Sequence, residues 1–192
     1  MTTLDEKLFK DVTAWTRWLE KEHANCPGIW MRIAKKSAGE PSVQYPEALD
    51  VALCFGWIDG QKKSIDENYW LQKWTPRAAR SIWSKINREK VQALIDKGLM
   101  REPGMREIER AKADGRWEQA YDSWSAATVP DDLQAALDAS PKAKKFFAAL
   151  NSHNRYAILF RTHSAKRAET RAKRIAEFVA MLERGETIYP QA

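Results

Sequence analysis

The chain has 192 residues, a net charge of +6 and a hydrophobic fraction of 44%. These values are typical of a folded, water-soluble protein, and they exclude a disordered chain, a collagen-like repeat and a disulfide-stapled scaffold. Nine tryptophans stand beside five tyrosines and six phenylalanines, an unusual excess. The length fits one large domain or two small ones.

The first 75 residues alternate helical and extended patterns. Asp11 is a good N-cap, Pro46 suits the first turn of a helix, and Gly56 ends the apolar run before it. A polar turn at 66–68 separates two stretches rich in strand-forming residues, which predicts a hairpin. The predicted elements are helices over 12–22 and 46–55 and strands over 29–34, 57–65 and 69–75. They indicate an α+β fold with a small antiparallel or mixed three-stranded sheet.

From residue 75 onward the apolar spacing is helical. Ser84 is placed to cap a helix that Gly98 ends. Further helices are predicted over 105–114, 131–139, 141–150 and 164–184, with a break at 151–152. The small, polar segment 122–130 predicts a linker. It separates an α+β domain over 1–121, with a Trp-rich hairpin and following helices, from a basic, all-α helical bundle over 131–192.

The two ends and the cysteines exclude several classes of protein. The first ten residues mix acidic and basic side chains and contain no apolar run, unlike a secretory signal. No later stretch approaches the roughly 18 apolar residues that span a membrane. We therefore expect a cytoplasmic protein with no transmembrane segment. Cys26 and Cys54 lack metal-ligand spacing, so we predict reduced thiols, Cys54 in the core, and no metal or cofactor.

Positive charge is concentrated near the carboxyl terminus. Residues 142–174 hold ten basic side chains and one acid, a net charge of +9, which leaves −3 for the rest of the chain. Arg167, Arg171 and Arg174 recur at helical spacing, opposite an apolar face that we predict to point to the core, with Ala168, Ala172, Ile175, Val179 and Leu182. Such a basic face could bind nucleic-acid phosphates. A solvated helix surface is the alternative, and no nucleic-acid motif accompanies the stripe.

The densest group of aromatic and polar residues lies between 54 and 87. Strand alternation places Asp59 on the face of Trp57, and Gln72 on the face of Trp74. If the two faces coincide, an acid and an amide lie beside a tryptophan wall. Apolar walls with a few convergent polar groups are typical of a small-ligand pocket. The alternative is that these tryptophans belong to the core.

The residues before the helix at Ser84 add positive charge to this group. Arg77 and Arg80 precede the free N–H groups of a helix start, which attract anions. A structural ion pair between Arg77 and Asp59 is the alternative. The predicted ligand-binding residues are Trp57, Asp59, Lys62, Trp74, Arg77, Arg80, Ser84 and Asn87.

No catalytic residues are predicted. The 54–87 segment contains no spaced carboxylate pair, no Ser/His/Asp set and no phosphate-binding glycine loop. Asp59 beside Lys62 could act as a general base on a small molecule, with Arg77 holding an anionic substrate. A salt-bridged aspartate is the commoner arrangement.

Two sequence blocks resemble the YdeI/OmpD-associated, or bacteriocin-protection, family. The first is YPEALDVALCFGWIDG over 45–60, followed by 75–77 and 83–87, and the second is AKRAETRAKRI over 165–175. The resemblance implies a bacterial protein of stress or antimicrobial-peptide tolerance and, through the family name, an outer-membrane porin as partner. It implies no catalytic residues. We expect a protein that binds a small, anionic ligand or another partner, with nucleic-acid binding and enzymatic turnover as alternatives.

Overall fold

A computed structural model describes residues 4–122 and 128–191, so that most of the predicted linker at 122–130 lies outside the described residues. The chain divides into two compact units, Met1–Ala120 and Tyr121–Ala192, here called the amino-terminal and the carboxyl-terminal unit. The first unit contains a sheet and helices and the second contains helices, which confirms the α+β prediction.

The amino-terminal unit contains a four-stranded mixed sheet. Its strands are β1 (Asp5–Leu8), β2 (Ile29–Ala34), β3 (Trp57–Ser64) and β4 (Tyr69–Pro76), and its helices are α1 (Val12–Glu22), α2 (Tyr45–Cys54), α3 (Lys85–Asp96) and α4 (Glu102–Ala113). The strand order is β1-β2-β4-β3, with β1 parallel to β2 and the other neighbours antiparallel. The sequence predicted three strands and missed β1, since the run Asp-Glu-Lys-Leu is charged and mostly exposed.

Local signals place the starts of α1 and α3 where the sequence predicted them. The Asp11 carboxylate accepts a hydrogen bond from the Ala14 amide at 2.7 Å, and the Ser84 hydroxyl accepts one from the Asn87 amide at 3.1 Å. Each satisfies an amide that the first turn of a helix leaves without a partner. The α4 helix starts three residues earlier than predicted.

Tryptophans form the centre of the amino-terminal core. Trp15, Trp57, Trp74 and Trp83 are each at most 2% exposed. The indole N–H of Trp15 donates to the Ala48 carbonyl at 3.1 Å, and that of Trp57 donates to the His23 carbonyl at 3.1 Å. Because a buried indole N–H needs an acceptor, these bonds fix how α1, α2 and the sheet meet.

Two glycines allow α2 and α4 to touch through their backbones. Gly56 ends α2 with a φ of 71°, and a Cβ there would lie 2.9 Å from the Pro103 carbonyl oxygen. A Cβ on Gly104 would lie 2.7 Å from the Leu53 carbonyl oxygen. The end of α2 and the start of α4 therefore pack closer than any side chain permits.

The carboxyl-terminal unit is a small helical bundle, as predicted. Its helices are α5 (Asp131–Asp138), α6 (Pro141–Ala148), α7 (Ser152–Ser164) and α8 (Ala168–Glu183). The predicted break at 151–152 is the start of α7, where the Asn151 side chain accepts from the Asn154 amide at 2.9 Å. Its core includes Leu133, Leu137, Phe147, Ile158, Phe178 and Leu182.

The buried side of α8 agrees with the prediction at Ile175 and Leu182 and differs from it at the two alanines. The core positions of this helix are Ile175, Phe178 and Leu182, whereas Ala168 and Ala172 are exposed. Alanines at helical spacing carry little information about burial, because their side chains add almost no apolar area. Within the described ranges, every helix is too short or too polar to cross a membrane.

The close approach of α2 and α4 predicts that Gly104→Ala destabilises the amino-terminal unit. The added methyl must displace backbone rather than a flexible side chain, and such overpacking costs about 1–3 kcal/mol. The matched control is Gly60→Ala, whose Cβ would lie 3.6 Å from the nearest Lys73 atom, an ordinary contact. Urea unfolding followed by tryptophan fluorescence measures both variants. Equal midpoints for the two would contradict the tight backbone contact.

Candidate functional site

The register of β3 and β4 brings the predicted acid and amide onto one face of the sheet. Asp59 pairs with Trp74 and Lys62 pairs with Gln72, with an irregularity between Asp59 and Lys62. This bulge adds a residue to β3, so that Lys62 rather than Gln61 follows Asp59 on the tryptophan side. The two strand faces whose coincidence the sequence left open do coincide.

The polar groups on this face bind to one another. The Tyr45 hydroxyl donates to Asp59 Oδ2 at 3.0 Å, and Lys62 Nζ lies 4.3 Å from the centroid of the Trp70 ring. Gln72 is 3% exposed and donates from Nε2 to the Gly60 carbonyl at 3.0 Å. Asp59 therefore accepts a hydrogen bond from Tyr45 that links β3 to α2.

Trp57 and Trp74, at 1% and 0% exposed, occupy the core position that the sequence left as the alternative to a pocket wall. Trp57 contacts the rings of Trp15 and Trp18, with centroid distances of 6.3 and 5.7 Å. The indole nitrogen of Trp74 is buried and has no hydrogen-bond acceptor among the described residues.

Arg77 holds the segment between β4 and α3. Its guanidinium lies 3.6 Å from the centroid of the Trp83 ring, its Nη1 donates to Ser81 Oγ at 3.3 Å, and the residue is 6% exposed. Arg80 is exposed, and Ser84 uses its hydroxyl to cap α3 through the Asn87 amide. The eight predicted ligand residues thus divide among the core, one sheet face and the start of α3.

An open cleft of about 440 Å³ lies along α3, a volume typical of small-molecule sites. Its lining residues are Lys85, Arg88, Glu89, Gln92 and Trp117. The sequence predicted a site at the start of α3, but none of these lining residues is among the eight predicted ligand residues. Lys85 and Arg88 are three residues apart and share a helix face, which was an available signal. Trp117 lies beyond α4, and no sequence spacing relates it to α3.

Arg88 joins the two walls of this cleft. Its Nη1 donates to the Trp117 carbonyl at 2.8 Å, and its guanidinium lies 5.0 Å from the centroid of the Trp117 ring. The same indole contacts Trp83 edge-on at 5.1 Å, which fixes its plane. Within the part of the chain that the structure describes, Arg88 makes no ion pair. A guanidinium has five N–H donors, so the remaining donors can bind an anion.

The predicted basic face of α8 is partly engaged within its own unit. Arg171 Nη2 donates to Asp132 Oδ1 at 2.8 Å and Arg171 Nη1 to the Thr162 carbonyl at 2.8 Å. Arg174 Nη1 donates to the Arg161 carbonyl at 2.5 Å, and Arg167 is exposed. Two of the three arginines therefore hold α8 against α5 and α7.

Cys54 lies in the core, where the sequence predicted it. Burial raises the pKa of the Cys54 thiol to about 11, so that it is protonated and unreactive at neutral pH. No group of three or more His, Cys, Asp or Glu side chains within 4–122 and 128–191 could hold a metal ion.

Comparisons with known proteins divide the chain in the same two parts. The family described as Domain of unknown function (DUF8412) matches residues 7–107, more than half of the chain. The chain belongs to this family. The family described as Bacteriocin-protection, YdeI or OmpD-Associated matches residues 126–185. This second match confirms the resemblance of the 165–175 block, whereas the 45–60 block lies in the DUF8412 match. No curated protein and no solved structure matches the chain.

The contacts of Arg171 predict that Arg171→Gln lowers the thermal stability of the protein, whereas Arg167→Gln, the matched control, leaves it unchanged. An exposed ion pair contributes less than about 1 kcal/mol, so the expected shift is a few degrees. Circular dichroism melts measure it.

The stabilisation by the ion pair of Arg171 with Asp132 should depend on pH. The Arg171 side chain lowers the pKa of Asp132. The contribution of the pair is therefore present above the unfolded pKa of about 3.9, and it is lost as the pH falls through the lower folded value. The difference between wild type and Arg171→Gln should narrow in acid. A difference that is as large at pH 2 as at pH 7 would contradict this role.

Proposed function

We propose that this protein is a bacterial stress-tolerance protein whose amino-terminal unit binds a small anionic ligand in the cleft beside Trp117. The observation that carries the proposal is the Arg88 guanidinium, which Trp117 orients at the cleft wall and which forms no ion pair among the described residues. Because this positive charge is already oriented, little further ordering is needed when an anion binds.

The chemistry of the lining favours a carboxylate or a phosphate. The planar guanidinium fork matches the two oxygens of either group. Arg88 supplies the positive charge for this group, and the described part of the lining contains one acid, Glu89. The Trp117 ring adds an apolar wall against which the rest of the ligand can pack. A small metabolite with one acidic group and an apolar or planar part fits this combination.

Binding is the role that we propose for this cleft. Catalysis by general acid or base needs a titratable group at the reacting atoms, and in this cleft the candidates are Lys85 and Glu89. Asp59, the candidate base from the sequence, bonds to Tyr45 on the sheet face and does not line the cleft. Cys54 is protonated at neutral pH, as its raised pKa indicates, and lies in the core.

The stress role is supported at the level of the family. The match over 126–185 is to a family described by bacteriocin protection. In our proposal the amino-terminal unit recognises the ligand, and the carboxyl-terminal unit carries the function for which that family is named.

Ligand binding is tested with inorganic phosphate, citrate and adenosine monophosphate as probes, followed by tryptophan fluorescence and thermal shift. We expect at least one probe to bind. Arg88→Gln should weaken that binding about tenfold to a hundredfold, because a charge-assisted hydrogen bond contributes about 1.5–3 kcal/mol. Lys97→Gln is the matched control, since it removes the same charge from an exposed position at the end of α3. Equal affinity for Arg88→Gln and wild type would contradict the assignment of the cleft.

The stress role is tested in a bacterial strain that lacks the gene and is exposed to a bacteriocin or a cationic antimicrobial peptide. Wild type and Lys97→Gln should restore survival, and Arg88→Gln should not if ligand binding drives protection. Survival that is independent of the gene would contradict the stress role while leaving the binding result intact.

A further inference from the structure

A second surface, in the carboxyl-terminal unit, is apolar and exposed. A groove of about 640 Å³ runs between α5 and α8, and its lining includes Ala136, Ala139, Ala172, Ala176, Val179 and Ala180. The buried residue Ile175 also lines this groove, as do the charged residues Arg171 and Glu183, whereas Ala172 and Ala176 are exposed in it. Its walls are small enough to admit the backbone of another helix at close range.

The charges of α8 oppose the dipole of that helix. Basic residues dominate its amino-terminal half, with Arg171, Lys173 and Arg174 against Glu169, while Glu177 and Glu183 lie in its carboxyl-terminal half. The last turn contains no basic residue. Because a helix carries partial positive charge at its amino terminus and negative charge at its carboxyl terminus, this order is unfavourable within one helix.

When a second α8 packs antiparallel to the first, the side-chain charges and the helix dipoles of the two copies both interact favourably. The basic half of one α8 then lies along the acidic half of the other, and the two dipoles oppose each other. Lys173 and Glu177 form an ion pair within α8 at 4.0 Å, and each would lie near the opposite charge of the other copy if the two-fold axis passes near the middle of α8. A two-fold symmetric interface places the same surface patch of both copies in contact, so that patch must be complementary to itself in the opposite orientation. An unrelated partner would require no such self-complementarity.

We propose that the groove between α5 and α8 binds α8 of a second copy of this chain, in antiparallel orientation, and so forms a symmetric dimer. The alanines permit close approach of the two helices, and the flanking charges select the antiparallel orientation. The proposal is independent of the cleft beside Trp117.

The test is the molar mass of the full chain in solution, measured by light scattering after gel filtration at several concentrations. We expect wild type to have twice the mass of one chain at concentrations of tens of micromolar. Ala172→Glu should be monomeric with an unchanged helical signal, because it buries a charge at the interface only. Ala148→Glu, at an exposed position of α6 outside the groove lining, should remain dimeric.

Charge exchange provides a second test that leaves the alanines intact. Glu177→Lys should weaken the dimer, and the double variant Lys173→Glu with Glu177→Lys should restore it, because every pair across the axis is then reversed together. A wild-type chain that stays monomeric over this concentration range would overturn the proposal. A dimer that survives both Ala172→Glu and Glu177→Lys would also overturn it, since its interface would lie elsewhere.

Discussion

The backbone at the end of α2 is the junction on which the amino-terminal unit depends. The Gly56 carbonyl accepts from the Arg77 amide at 2.9 Å, the Cys54 carbonyl accepts from the Arg101 amide at 3.3 Å, and Gly104 packs against the same turn. The chain leads from Arg77 into α3 and from Gly104 through α4 to Trp117. Both walls of the cleft therefore originate at one contact between backbones. A side chain in place of either glycine would separate them, so the position of Arg88 relative to Trp117 is set by residues that never touch a ligand.

The sequence predicts the elements that depend on local chemistry and misses those that depend on partners. Asp11 and Ser84 act as caps because their side chains bond within their own first turns. Strand β1 is formed by its pairing with β2. Its charged residues show no strand pattern in the sequence, so the pairing could not be predicted from them. The bulge after Asp59 replaces Gln61 by Lys62 on the tryptophan face, which simple alternation cannot anticipate. The contact of Arg88 with Trp117 joins α3 to the turn after α4, so no spacing reveals it.

The carboxyl-terminal unit shows the same limit in its charges and its alanines. The concentration of positive charge in 142–174 is visible in the sequence, but the use of Arg171 and Arg174 as intramolecular donors is not. Helical spacing places Ala172 and Ile175 on one apolar side of α8 without indicating which of them is buried, because the two count alike in a pattern. Side-chain volume determines which residues are buried, because the large side chains fill the core and the alanines remain exposed. The two family matches fall one in each unit, so the chain joins two separately recognisable parts.

The tryptophans that make the composition unusual are also unevenly placed. Eight of the nine, from Trp15 to Trp117, belong to the amino-terminal unit, and the ninth, Trp124, lies outside the described residues. Tryptophan fluorescence therefore reports mainly on the amino-terminal unit, whereas far-ultraviolet circular dichroism reports on the helices of both units. Comparing the two optical signals in one sample separates the unfolding of each half without cutting the chain or attaching a label.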